Sequence, residues 1–175
     1  HVHADHVTSA SQLRQATGAE SVYGKPAGIA CADHLAKDGQ VFKFGVHEVK
    51  VLTTPGHTPG CVSFLIDDMV FTGDALLVRG TGRTDFQGGS AEILYNSIKG
   101  KLFTLPDDTA IFPGHDYQGR GQSSVGEEKR WNPRMNLKIK KEEFVRIMDE
   151  LNLPPPKKIQ EAVPANLECG KTQSA

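Results

Sequence analysis

The sequence predicts a mixed α/β fold. Three observations carry that prediction. Several short apolar runs stop at glycine turns, two pairs of such runs are spaced as hairpins, and two longer segments carry apolar residues on one helical face. Ser9 to Thr17 holds Leu13 and Ala16 and ends before Gly18, which predicts a short helix with serine at its start. Its beginning just after the first histidines would bring a positive helix end near them. Ser21-Val22-Tyr23 predicts a brief strand, and Ala30 to Ala36 a helical turn. Val41 to Phe44 and Val46 to Thr53 flank Gly45 as one hairpin, and Cys61 to Ile66 and Met69 to Thr72 flank Asp67-Asp68 as another. Ser90 to Leu105 places Leu94, Ile98 and Leu102 at four-residue spacing behind a serine N-cap. Thr109 to Phe112 predicts a further strand. Lys140 to Leu151 predicts a C-terminal helix through Phe144, Ile147, Met148 and Leu151, stopped by Leu153-Pro154-Pro155-Pro156. Pro164 to Gly170 lacks periodicity and predicts irregular chain.

A length of 175 residues suffices for one domain with a sizeable core, taken as residues 1–175. A net charge of −1 supplies no field for nucleic acid or an anionic membrane, and no run approaches the roughly 20 apolar residues of a membrane span. Cys31, Cys61 and Cys169 are an odd number at wide spacing. They predict neither a disulfide framework nor a zinc ribbon and favour a reducing compartment. Cys61, on a predicted strand, is expected to be buried, and Cys169, in the tail, exposed.

The chemistry is concentrated in four stretches. His1-Val2-His3-Ala4-Asp5-His6 puts three imidazoles and a carboxylate within six positions. These are the usual ligands of zinc and of non-haem iron, and such density is costly to bury unless something coordinates it. A solvated tail or a tag remnant is the plainer reading of six residues alone, but a tag is usually an unbroken run of histidines. Thr54-Pro55-Gly56-His57-Thr58-Pro59-Gly60 sets a histidine in a turn behind a strand. Val70-Phe71-Thr72-Gly73-Asp74 ends a strand in a carboxylate, and Ala110-Ile111-Phe112-Pro113-Gly114-His115 ends one in a histidine. Each is a strand-end loop, where rigid scaffolds hold reactive groups. Five of the seven histidines fall in these stretches, so they are read together as one metal site.

The four motifs in this order resemble the metallo-β-lactamase superfamily. The resemblance implies an αββα sandwich with metal at one edge of its two sheets. In that superfamily several strands precede the His-x-His motif. None precedes His1 here, so the chain is expected to lack its N-terminal strands, and with them any localisation signal. A narrower resemblance covers essentially the whole chain. Asp74 to Gln87 (with Gly82-Arg83-Thr84-Asp85-Phe86-Gln87), His115-Asp116-Tyr117-Gln118-Gly119, Asn132-Pro133-Arg134, Leu151 to Pro156 and Pro164-Ala165-Asn166 with Cys169-Gly170 are similar to the persulfide dioxygenases.

That family oxidises glutathione persulfide with O₂, giving sulfite and glutathione. By position in its motifs, the resemblance implies one Fe(II) per chain held by His1, His57 and Asp74, a facial triad with open positions. No further catalytic group is implied. His3, Asp5, His6 and His115 then orient the ligands or hold water. Alternatively they bind a second ion, giving a zinc or mixed dinuclear centre. Arg83 and Tyr117 are the candidates for holding glutathione, Arg83 through a bidentate carboxylate contact. Their plainer readings are a brace to Asp85 and a packed wall. Arg79 and Arg134 read as structural. Thr81 stands where the family often has cysteine, so no thiol chemistry is implied there. The implied partners are glutathione persulfide and O₂, with no nucleic acid and no membrane, and a homodimer left open. The implied location is intracellular, in bacterial cytoplasm or the mitochondrial matrix. The competing class is a dinuclear hydrolase of glutathione thioesters of the glyoxalase II type. Against it stand the Arg83 to Gln87 block and a short C-terminal region, about 60 residues after His115 with one predicted helix. A third alternative is a remnant of the fold with no competent site.

Overall fold

The computed structural model describes residues 1–171. Helix α1 (Ala10–Thr17) leads into a parallel pair of short strands, β1 (Val22–Gly24) and β2 (His34–Ala36). A six-stranded sheet follows: β3 (Val41–Phe44), β4 (His47–Thr53), β5 (Val62–Ile66), β6 (Met69–Gly73), β7 (Ala110–Pro113) and β8 (Ser123–Ser124), in that spatial order. All its neighbours are antiparallel except β6 and β7, whose crossover carries α2 (Ala91–Ser97) and a π-helical turn over Ile98–Leu102. Helices α3 (Val125–Trp131), α4 (Lys141–Asp149) and α5 (Ile159–Leu167) complete the chain.

Both predicted hairpins are present. Phe44 pairs with His47 across Gly45-Val46, and Ile66 with Met69 across Asp67-Asp68. Gly45 and Asp67 take positive φ, as two-residue hairpin turns require. Ser90 caps α2 by accepting the Ile93 amide. Leu94, Ile98 and Leu102 are fully buried, together with Val70 and Ile111 of the sheet and Phe144 and Met148 of α4. Each such side chain contributes about 1.5–3 kcal/mol relative to exposure, so this cluster fixes the sheet on which the strand ends are displayed. A second, smaller cluster joins Val2, Ile29 and Cys169, with Ala10, Tyr23 and Val163 against it.

The structure departs from the sequence-based expectation in several places. Ala30 to Ala36 is not a helical turn: it ends in β2. The Asp33 carboxylate accepts the Ser21 amide at 2.7 Å and its hydroxyl at 2.9 Å and pairs with Arg14, which draws the segment alongside β1. The first-turn amides of α1 do not serve the histidines. Ala10 N–H donates to the Thr8 hydroxyl and Ser11 N–H to the Cys169 carbonyl. The segment expected to be irregular from Pro164 is largely helical, running through α5 with Pro164 inside it. Helix α3 was not predicted. The C-terminal region therefore holds three short helices rather than one, while its short length still stands against the thioester hydrolase. Among the described residues no helix is long and apolar enough to cross a membrane.

The cysteines are also corrected. Cys31 and Cys169 form a disulfide across 138 residues, and Cys169 is 1% exposed rather than open to solvent. Cys61 is buried and free, as expected. The odd count concealed a single bridge, which weakens the compositional argument for a reducing compartment. A bridge closing so long a loop restricts the unfolded chain strongly. Reduction, or Cys31→Ser, is expected to lower stability by about 2–4 kcal/mol, measured by urea denaturation with and without a phosphine reductant.

Candidate metal centre

The ligand types meet where the strands end. Asp74 follows β6 through Gly73, whose φ of 51° turns the chain out of the sheet. His57 lies in the loop after β4, and His115 follows β7 and Gly114. Gly114 N–H donates to the Gly73 carbonyl at 2.9 Å, which ties the two strand ends together. One carboxylate oxygen, Asp74 Oδ2, is the common point. It lies 3.4 Å from His1 Nε2, 3.6 Å from His57 Nε2 and 3.6 Å from His115 Nε2.

The orientation of His57 is determined by its other nitrogen. Nδ1 lies 2.7 Å from the Arg83 carbonyl, which can only accept, so Nδ1 carries the proton and Nε2 keeps its lone pair toward Asp74. His1 and His57 are nearly enclosed, and Asp74 is 8% exposed. Burial would raise the Asp74 carboxyl pKa, but the imidazoles, His1 first, hold it down to about 2. Burial opposes protonation of His1, yet Asp74 and Cys61 beside it raise its pKa to about 10. Burial, then the neighbouring His1 and His6, lowers His3 to about 4. Burial likewise lowers His57.

A cation fits this arrangement. His1, His57 and Asp74 each offer one atom, and these lie within 4.8 Å of one another. Donors bound at roughly 2.0–2.2 Å stand a little over 3 Å apart, close to the separations seen. His3, Asp5 and His6 form a second group of the same kind, more open to solvent. Asp5 Oδ1 is 3.0 Å from His6 Nδ1, and Asp5 Oδ2 is 3.3 Å from His115 Nε2. His3 Nδ1 is buried without a hydrogen-bond partner, an atom whose lone pair a cation could satisfy. All seven sequence-predicted ligand-type residues are thus brought together, in two adjoining groups.

A cleft of about 490 Å³ opens over the first group. Its wall is the Leu77 to Arg83 segment, pinned from below by polar groups that the sequence reading missed. Glu128, fully buried on α3, accepts the Arg79 amide at 2.9 Å and pairs with the Arg79 guanidinium. Asn132 donates to Glu128 at 2.8 Å and to the Gly80 carbonyl at 3.0 Å. Ser124-Val125-Gly126-Glu127 had the spacing of a capping box and could have revealed α3. Ser124 does accept the Glu127 amide.

The two substrate candidates differ. The Arg83 guanidinium makes a bidentate pair with Asp85, 2.6 Å on each side, and donates to the Leu153 and Pro154 carbonyls. Its geometry is the brace, and the loop so braced presents the carbonyl that orients His57. Tyr117 is 80% exposed and stacks on His115 with centroids 5.8 Å apart, at the cleft mouth. Gly82 packs so closely on the Asp74 carbonyl and the His57 ring that no Cβ fits there.

Carboxylate and imidazole groups displayed at the strand ends of a mixed α/β sheet define a metal-binding protein of the metallo-β-lactamase kind, and the metallo-beta-lactamase superfamily matches residues 1–115. The mitochondrial persulfide dioxygenases ETHE1 of Bos taurus and Homo sapiens are each 51% identical to this chain over 173 residues, covering 97% of it and 67% of their own length. The chain therefore spans about two thirds of these relatives. The crystal structure of ETHE1 from Myxococcus xanthus superposes with a TM-score of 0.94 at 53% identity, over 98% of this chain and 75% of that one. The chain belongs to the persulfide dioxygenase family of the metallo-β-lactamase superfamily.

Gly82→Ala is expected to push Asp74 and His57 apart and to weaken metal binding roughly 10–100-fold. Competition with a chromogenic chelator measures it. Gly121→Ala, where a Cβ meets nothing within 4 Å, is expected to leave affinity unchanged.

Proposed function

We propose that this chain oxidises glutathione persulfide with O₂ at a single iron(II) held by His1, His57 and Asp74. What supports the reading is the 51% identity, over 97% of the chain, to proteins named persulfide dioxygenases. The donor set suits it, since two imidazoles and one carboxylate leave coordination positions open. Iron bound there would hold the persulfide sulfur and O₂ side by side and pass electrons between them, the four that O₂ takes up coming from the sulfane sulfur as it becomes sulfite. In balance, persulfide, O₂ and water give glutathione, sulfite and two protons.

The chain's own residues do the rest. The Arg83 carbonyl holds His57 with Nε2 inward, and the Arg83–Asp85 pair keeps that carbonyl in place. Phe86 stands edge-on to His57, 6.0 Å between centroids, and limits water on that side. Three arginines line the cleft. Arg79 is engaged by Glu127 and Glu128, and Arg83 by Asp85. Among the described residues Arg134 has no carboxylate partner. Its Nη1 donates to the Thr81 carbonyl at 3.1 Å, and burial alone lowers its pKa. A half-buried cation without a counter-ion suits a substrate carboxylate, so Arg134, first read as structural, takes the anchoring role proposed at the outset for Arg83. Tyr117 closes the mouth. The names of the bovine and human relatives place those proteins in mitochondria, and the matrix is the compartment proposed here.

The adjoining His3, Asp5 and His6 group favours a second reading, a dinuclear hydrolase of glutathione thioesters. Oxygen uptake by anaerobically iron-loaded protein given glutathione persulfide, with sulfite assayed, separates the two. Uptake matched by sulfite and reduced to background by His57→Ala or Asp74→Ala is expected. A folded, iron-loaded sample that consumes no oxygen would sink the dioxygenase reading. In the same assay Arg134→Ala is expected to raise KM by roughly ten- to a hundredfold with kcat little changed.

A further inference from the structure

The segment that carries four of the seven ligand-type side chains has no regular structure of its own. Residues 1–7 lie outside every helix and strand, and among the described residues their backbone makes no hydrogen bond to other backbone. Side chains from elsewhere hold it. Gln87 Nε2 donates to the Val2 carbonyl at 3.3 Å. Asn166 of α5 does more. Its Nδ2 donates to the His3 carbonyl at 2.9 Å and to the His6 carbonyl at 2.8 Å, while its Oδ1 accepts the Thr8 amide at 2.8 Å. Two carbonyls on one side and an N–H on the other allow only one orientation of the amide. Asn166 is 2% exposed.

The clamp is itself anchored. Ala162, Ala165, Asn166 and Cys169 lie at i, i+3, i+4 and i+7, and all are buried. Cys169 is bridged to Cys31 and accepts the Ser11 amide at 2.9 Å. Gly170 passes directly against the Thr8 carbonyl, with no room for a Cβ.

We propose that Asn166 is a positioning residue for the metal centre, setting the His3-to-His6 backbone so that the imidazoles and Asp5 converge. The proposal rests on the metal reading of the site but not on which metal or substrate it takes. Among the described residues no other side chain bonds the backbone at both ends of the His3–His6 span. Loss of such an outer partner typically weakens metal binding 10–100-fold.

Cobalt(II) titrated into metal-free protein tests it, because the visible absorption of bound cobalt reports ligand geometry. Asn166→Asp keeps shape and the acceptor for Thr8 but loses both donors, and sets a carboxylate against two carbonyls. It is expected to bind cobalt at least about tenfold more weakly, with a shifted absorption band, and Asn166→Ala to change in the same direction. Ala162→Gly lowers helix propensity in α5 without touching the loop, and is expected to keep wild-type affinity and band. A folded Asn166→Asp with wild-type affinity and band overturns the proposal, as does an equal loss in Ala162→Gly. Should neither Asn166 variant fold, hydrogen exchange at the Thr8 amide of the wild type decides. Slowing on cobalt binding supports the coupling, and no change overturns it. A wild type that binds no cobalt sinks the metal reading and this one with it. Intact cobalt binding without oxygen uptake by the iron form sinks only the persulfide chemistry.

Discussion

The structure turns on one buried carboxylate oxygen. Asp74 Oδ2 faces three imidazole nitrogens at 3.4–3.6 Å, from three separate loops. A carboxylate there is tolerable only because positive charge surrounds it. In the metal-free chain a proton on His1 supplies that charge, which is why its pKa stands far above the ordinary imidazole value. A divalent cation held by His1, His57 and Asp74 would supply it instead. The packing around Asp74 makes sense in these terms. Gly114 lies directly against Asp74 Oδ1 and Gly82 against the Asp74 backbone carbonyl, with no room for a Cβ at either position.

Around this point the protein divides its charged side chains between scaffold and cleft. Arg79 and Glu128 neutralise each other beneath the cleft wall, and Asn132 completes the Glu128 hydrogen bonds. Removing one member of such a pair would strand the other in the interior, an effect on the order of 3–5 kcal/mol. The Arg83–Asp85 pair is more exposed and adds little by itself. Its value lies in the backbone that it fixes, because the Arg83 carbonyl decides which nitrogen of His57 is free. The segment between Leu77 and Phe86 thus both lines the cleft and carries the carbonyl that orients His57.

The ligand groups, both long hairpins, α2 and α4 were legible in the sequence because each has a local signature: clustered imidazoles, glycine turns between apolar runs, and four-residue apolar spacing. Helix α3 carries one too, in its Ser124-to-Glu127 capping box, but the other unpredicted features lack one. The buried stripe of α5 is Ala162, Ala165, Asn166 and Cys169, small or polar residues that leave no hydropathy period, and Pro164 argues against a helix on sight. Strand β2 has three residues, too few for alternation to register, and its place beside β1 is decided by Asp33, which bonds Ser21 twelve positions earlier. The Cys31–Cys169 bridge joins residues 138 apart that nothing local connects. Arg83 and Arg134 are indistinguishable as residue types. Only the position of Asp85 shows which guanidinium is already committed.

Asn166 reaches back 158 to 163 residues to the segment that it holds. Contacts so distant in sequence form late, after local helices and hairpins have paid their own loop-closure entropy, and a chain made on the ribosome cannot form them until α5 has emerged. Three of the ligand loops are set by the sheet, whereas the His1–His6 loop waits for the last helix. During synthesis the nascent chain therefore presents exposed histidines without a finished cage. An abundant, tightly binding ion such as zinc or copper has the advantage at that stage, since intrinsic affinity rather than geometry decides the competition. Which ion occupies the centre in a cell would then depend on the order of folding and filling, and not on the completed coordination geometry alone.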